Sequence, residues 1–431
     1  MAIVPAVFSD AASRAGLLSP TALDAVAERY VKLALAIGQH DAAYVDAYYG
    51  PPQWQEDARR QPQDLAAIRI DVDAALRLLA EQHPAQQDDV RRAACLGKQL
   101  RSMLARLDML GGVALSFDEE TERLYDAVSP HHPRDYYENL VAEIDQLLPG
   151  AGTVSERVQA FRGQLAIPRD KIGAVMDAAI RAGRERTLQY IALPPGENFV
   201  LELVTDRPWS GYNWYKGNFQ SVIQINVDLP VYMDRAVDLG CHEAYPGHHV
   251  YNVLLEQDLM RGKGWIEYSV YPLFSPQSLI AEGTANYGIE LTFSDDERLA
   301  FEQRVLYPLA GLDASLAPRY AELNRLLAKL NYVDNDVAMQ YLAGDLTREQ
   351  AIEWLVNVRL YPAEKAAQRL QFYDAMRGYV ITYNLGEDMA REYIRRHSSE
   401  TDPAHAKAQR WAAFRELMAS PRPPSALREA V

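Results

Sequence analysis

The stretch His242-Glu243-Ala244-Tyr245-Pro246-Gly247-His248-His249 decides how this chain is read. It gathers three of the nine histidines within eight residues and sets a glutamate directly after the first. Histidine is a common zinc ligand, and a glutamate beside a metal-activated water is the usual general base of a metallohydrolase. The common form of the motif spaces two histidines four apart on one helical face. Here the fourth position after His242 is Pro246, which rules that form out. A proline-glycine pair instead breaks the helix and lets a later histidine swing back to the metal.

Two ligand choices follow from that break. His242 and Glu243 are expected on a helix beginning near Tyr232, roughly 100° apart, so His242 can bind metal while Glu243 approaches the same water from the side. Either His248 or His249 can supply the second imidazole. The Gly-His step after the break favours His248 and leaves His249 as a supporting, substrate-binding or catalytic group. Catalytic zinc takes three protein ligands and keeps one position open. Glu282, in Ala281-Glu282-Gly283-Thr284-Ala285-Asn286-Tyr287-Gly288-Ile289-Glu290, is the third candidate, because the small residues around it let another helix lie close. Glu290 lies about two turns on, near the same face, and is expected to orient a histidine. Tyr245, Gln224 and Tyr287 are the candidate substrate-binding residues. One zinc ion per chain is the expected cofactor. The competing reading makes these histidines hydrogen-bonded core residues, but three clustered beside a glutamate outweigh it.

Outward from the motif, most of the chain reads as helix. Apolar residues recur at helical spacing over Leu23–Tyr48, Asp64–Gln82, Asp88–Leu110 and Pro133–Leu148, and Pro168 opens a stretch to about Ile191. Residues 198–228 change character, with Val, Ile, Phe, Trp and Tyr between the turn formers Pro208, Gly211, Gly217 and Asn218. Phe199–Thr205 and Phe219–Val227 read as strands. Phe219–Asn226, which contains Gln224, is the expected edge along which an extended peptide could lie beside the metal helix. Helix then returns from Leu229 to about Ala419. The expectation is a mainly α fold, one helical domain over residues 1–420 with a small sheet, and a loose tail at 421–431.

Composition narrows the function. The 431 residues carry a net charge of −15, which argues against a nucleic-acid binder. No apolar run is long enough to span a bilayer, and Met1–Ala12 lacks the pattern of a secretory signal, so a cytoplasmic, membrane-free protein is expected. Cys95 and Cys241 are the only cysteines, which excludes a disulfide framework; Cys241 reads as a small buried side chain.

At these residues the sequence resembles a large bacterial family known as domain of unknown function 885. Its hallmark, His-Glu-x-x-Pro-Gly-His-His, matches residues 242 to 249 in full, and its second block, Glu-Gly-x-Ala-x-Tyr-x-x-Glu, matches Glu282, Gly283, Ala285, Tyr287 and Glu290. Asp46-Ala47-Tyr48-Tyr49-Gly50-Pro51 extends the likeness towards the start. The family looks like helical zinc peptidases of the thermostable carboxypeptidase, oligopeptidase and angiotensin-converting-enzyme type. The resemblance implies a channel between helical halves, His242, His248 and Glu282 as ligands, and Glu243 as base. A late family block, Pro-Gly-Gln-Ala-x-x-Tyr, is reduced here to Ala338 and Tyr341 within residues 335–341. Tyr341 or His249 is then the expected oxyanion donor. The function expected is zinc-dependent hydrolysis of short peptides. Hydrolysis of a non-peptide amide or ester, or non-catalytic binding on the same fold, stands as the alternative. The sequence leaves the oligomeric state open.

Overall fold

The computed structural model of the protein describes residues 21–207, 209–398 and 403–428. Helices form where the apolar spacing places them. Ala22–Ile37 buries Leu23, Val26, Tyr30 and Val31 on one face, and a capping box between Thr21 and Asp24 satisfies its first amides. Leu65–Ala80, Gln87–Leu110 and Arg134–Leu147 lie within a residue or two of their expected bounds. The buried apolar side chains form one cluster running from Leu23 to Leu427. Among the described residues no helix is long and apolar enough to cross a membrane.

The departures have local causes. The first helix stops at Ile37, not Tyr48, because Gly38 caps it and a turn follows through Asp41. Val45–Tyr48 is instead a strand, β1, paired antiparallel with a strand about 220 residues later, Val270–Pro272. That partner interrupts the long helical run expected from Leu229. Pro168 does not open its helix. Its carbonyl accepts from the Lys171 amide (2.8 Å), and the helix runs from Ile172 to Thr187. The tail is not loose as far as Arg428. Pro424–Arg428 forms a short helical turn that buries Pro424 and Leu427, and Asp126 accepts from the Ser425 amide (2.8 Å). Residues 429–431, Pro208 and the N-terminal segment read for a secretory signal lie outside the described residues.

The small sheet lies just before the histidine motif, as expected, but the strand expected at its edge does not lie there. β2 (Asn198–Val204), β3 (Gly211–Tyr215) and β4 (Gln220–Asn226) lie in the order β2-β4-β3, and Val270–Pro272 is β5. β4 pairs parallel with β2 and antiparallel with β3. The strand expected at the edge is therefore central, with both sides occupied. The edges belong to β2 and to β3, the latter a five-residue strand masked in the sequence by turn formers on either side. Ser221, Ile223 and Ile225 face the core, as the alternation required.

Candidate metal centre

Two backbone devices bring the motif together. The helix Met233–Leu239 runs into a π-helical turn, Gly240–Ala244, which carries His242 and Glu243. Such one-turn π segments recur at functional sites. The chain then extends through Tyr245 and Pro246, and a new helix starts at His248. Gly247 makes the reversal: a Cβ there would lie 1.8 Å from the His242 carbonyl oxygen, so only glycine fits. Its amide donates to the Cys241 carbonyl (2.9 Å). Cys241 itself is fully buried. The second device crosses Pro276–Thr292 over Ile381–Arg396. A Cβ on Gly283 would sit 2.3 Å from the Gly386 backbone. This crossing lies beside the contact between the Tyr379 hydroxyl and Glu282.

The result is a compact donor set. His242 Nε2 and His248 Nε2 are 3.1 Å apart, and Glu282 Oε2 is 3.3 Å from the first and 3.6 Å from the second. Glu282 Oε2 is buried with no hydrogen-bond partner among the described residues, while Oε1 accepts from the Tyr379 hydroxyl (2.7 Å). Burial raises the Glu282 carboxyl, but the two imidazoles outweigh it and hold it well below the usual range. Ligands about 2.0–2.1 Å from one tetrahedral zinc are about 3.3 Å from each other, so the spacing of this two-nitrogen, one-oxygen set fits such an ion. Among the described residues these three could hold a metal.

Supporting residues orient the set. His242 Nδ1 meets Asn286 Oδ1 at 2.8 Å, and the Asn286 amide donates to the Tyr383 carbonyl (2.9 Å). An amide oxygen only accepts, so Nδ1 carries the proton and Nε2 presents its lone pair to the set. Asn286 takes the role expected of Glu290, which instead pairs with Arg391 (2.9 Å) at the surface. Asn286 is one turn from Glu282, so helical spacing could have found it.

Glu243 is 4% exposed, and burial pushes it up to about 7, helped by the charges of Glu282 and Asp46 and opposed by His242. β3 closes over it. The Asn213 side chain donates to the Glu243 carbonyl (2.7 Å), and a Cβ on Gly211 would lie 2.7 Å from Glu243 Oε1. Asp46, on β1, accepts from the Tyr212 hydroxyl, and burial pushes it up to about 6 within the field of His248 and Glu282.

The remaining expected residues lie elsewhere. His249 is fully buried and turns away from the set: Nε2 meets Glu197 Oε2 (2.9 Å) and Nδ1 meets Ser221 Oγ (2.8 Å). Tyr245 is 1% exposed and donates to the same Glu197 oxygen (2.6 Å), which leaves it no surface for a substrate. Burial of Tyr287 against Phe414 does the same. Gln224 lies on the central strand, where its amide accepts from Trp214 (3.0 Å) and donates to Glu202 (2.7 Å). Tyr341 donates to Asp374 (2.9 Å), and none of its partners belongs to the histidine set. The reason is its helix: Val333–Ala338 are buried, whereas Tyr341 is on the half-exposed last turn. Tyr383 differs. Its hydroxyl has no hydrogen-bond partner among the described residues, and it lies within the field of both Glu282 and Glu243.

No family model and no curated protein matches the chain. Among solved structures, the chain is similar to the "putative lipoprotein from Colwellia psychrerythraea", with 16% identity over 86% of this chain and 70% of that one and a TM-score of 0.51. It is also similar to a "putative lipoprotein of unknown function from Shewanella oneidensis", with 14% identity over 85% and 76% and a TM-score of 0.43. The M32 carboxypeptidase from Deinococcus radiodurans R1 aligns with 12% identity over 93% and 90% and a TM-score of 0.46. At these identities the Colwellia likeness speaks to the mainly helical fold alone.

Proposed function

We propose that this chain is a zinc-dependent hydrolase of peptide bonds acting on short peptides, with His242, His248 and Glu282 as ligands. One observation carries the reading: two imidazole nitrogens and a partnerless carboxylate oxygen converge within 3.1–3.6 Å. Beside them stands a buried glutamate raised to about 7. When bound, zinc supplies Lewis acidity and acidifies water.

The chain's own groups do the rest. Glu243, poised near neutrality, accepts the proton of the attacking water and returns it to the leaving amine. The Tyr383 hydroxyl faces the developing oxyanion, in place of Tyr341 or His249. Tyr379 and Asn286 hold Glu282 and His242 in place. The free edge of β3, not β4, offers main-chain groups to an extended peptide beside Glu243. The test is hydrolysis of a short-peptide library by purified protein, abolished by a chelator and restored by zinc. Zinc-loaded protein that cleaves none of these peptides, or a Glu243→Gln variant that cleaves them normally, would contradict the reading.

A further inference from the structure

Arg377 joins two late helices in a conformation that arginine does not adopt freely. Ala363–Met376 ends there, and the short turn Arg377–Val380 leads into Ile381–Arg396. At Arg377 φ is +48° and ψ is −122°, outside the regions that L side chains populate, so surrounding contacts must enforce it. Glu120, on the helix Phe117–Tyr125, supplies them. It is 1% exposed, and each carboxylate oxygen has a separate task. Oε2 accepts from Arg377 Nε (2.7 Å), and Oε1 accepts from the Gly378 amide (2.9 Å). Gly378 makes room for the carboxylate: a Cβ there would lie 3.0 Å from Glu120 Oε1 and 2.8 Å from Thr121 Cγ2. One buried acid therefore grips both the side chain and the backbone of the junction.

The residues that leave this junction reach the metal centre. Tyr379 directly follows Gly378, and its hydroxyl donates to Glu282 Oε1 (2.7 Å). Tyr383, one helical turn on, carries the hydroxyl assigned above to the oxyanion. The two rings meet edge to face at 5.7 Å, and Tyr125, on the helix of Glu120, meets Tyr379 at 6.0 Å. Glu120 itself has no hydrogen bond or ion pair with His242, His248 or Glu282 among the described residues. Resting on the metallohydrolase reading above, we propose that Glu120 is a positioning residue of the metal centre: it locks the Arg377–Gly378 junction so that Tyr379 holds Glu282 and Tyr383 faces the substrate. A glutamine in its place turns one acceptor into a donor, which leaves either the Gly378 amide or Arg377 Nε unanswered and frees the junction to relax.

The test is a double-variant cycle read by zinc affinity, titrated against a competing chelator under conditions where each protein is folded. Glu120→Gln and Tyr379→Phe should each lose about 10-fold in affinity, the lower end of the cost of removing a supporting residue. Their combination should lose about 10-fold as well, not about 100-fold, because Glu120 acts on the metal through Tyr379. Arg377→Gly should rescue Glu120→Gln, in folding and in zinc affinity, since glycine adopts a positive φ without strain. With short peptides, Glu120→Gln should lower kcat and leave KM within about twofold, as a group that does not touch substrate should. If the zinc cycle closes in this way but the wild type cleaves no peptide, the positioning role stands and the peptidase reading falls. If Glu120→Gln binds zinc like the wild type, or the combined loss is the product of the two, or Arg377→Gly restores nothing, the positioning role is overturned while the metal reading remains. A wild type that binds no zinc overturns both.

Discussion

His248 and His249 are neighbours in sequence and opposites in environment. His248 Nε2 faces another imidazole nitrogen at 3.1 Å and a carboxylate oxygen that lacks a hydrogen bond. His249 is enclosed, with both ring nitrogens answered by Ser221 and Glu197. Glu197 is answered too, by Tyr245 and by Arg184 (2.5 Å). A satisfied buried network holds elements together; an unsatisfied one awaits a ligand. Here the closed cluster joins β4 and the residue before β2 to the helix that starts at His248, and so anchors the open cluster beside it. The carboxyls show the same contrast. Glu243 is raised to about 7, whereas Glu197 is held at about 2 because hydrogen bonds from His249, Tyr245 and Arg184 outweigh the effect of its burial.

The largest break in this comparison should come from Glu243→Gln. It keeps the shape and removes the proton acceptor, so kcat should fall by about 10²–10⁴-fold with zinc still bound. Peptide turnover and elemental analysis of the same preparation check both halves. Tyr383→Phe comes next, with a loss of about 10²–10³-fold in kcat, the usual cost of one oxyanion donor. An unchanged kcat in that variant would return the oxyanion role to another group.

The closed cluster is read through stability. The folded pKa of Glu197 lies below its ordinary value of 4.5, so its contribution is fully present above about pH 4.5 and is lost as the pH falls towards 2. The difference corresponds to about 3 kcal/mol at most. Urea unfolding across that window should show the loss in the wild type, and a flatter profile in Glu197→Gln. Equal slopes would mean that the cluster is not the acid-labile part of the fold. Tyr341→Phe should do least, within about twofold in kcat, since it forfeits only a half-exposed hydrogen bond to Asp374.

Much of this was legible in the sequence. Pro246-Gly247 announced the helix break, and the small residues around Glu282 announced the close crossing that Gly283 and Gly386 make. The alternation at Ser221–Ile225 gave the buried face of β4. What stayed hidden depended on partners distant in the chain. The pairing of Val45–Tyr48 with Val270–Pro272 has no local signature. Neither does the capture of His249 by Glu197, 52 residues earlier. The edge positions went to β2 and β3 because strand order is a property of the sheet, not of any one strand's pattern. Tyr383 lies far along the chain from the histidine motif, on a helix whose sequence gives no hint of it.

The most direct test of the central claim is a zinc titration, against a competing chelator, of the wild type, His248→Ala and His249→Ala. The wild type should bind about one zinc per chain. His248→Ala should lose more than about 100-fold in affinity, beyond the usual cost of removing a supporting residue, while His249→Ala should stay within about 10-fold of the wild type. A His249 variant that releases the metal, or a His248 variant that keeps it, would contradict the assignment of the open cluster as the metal centre.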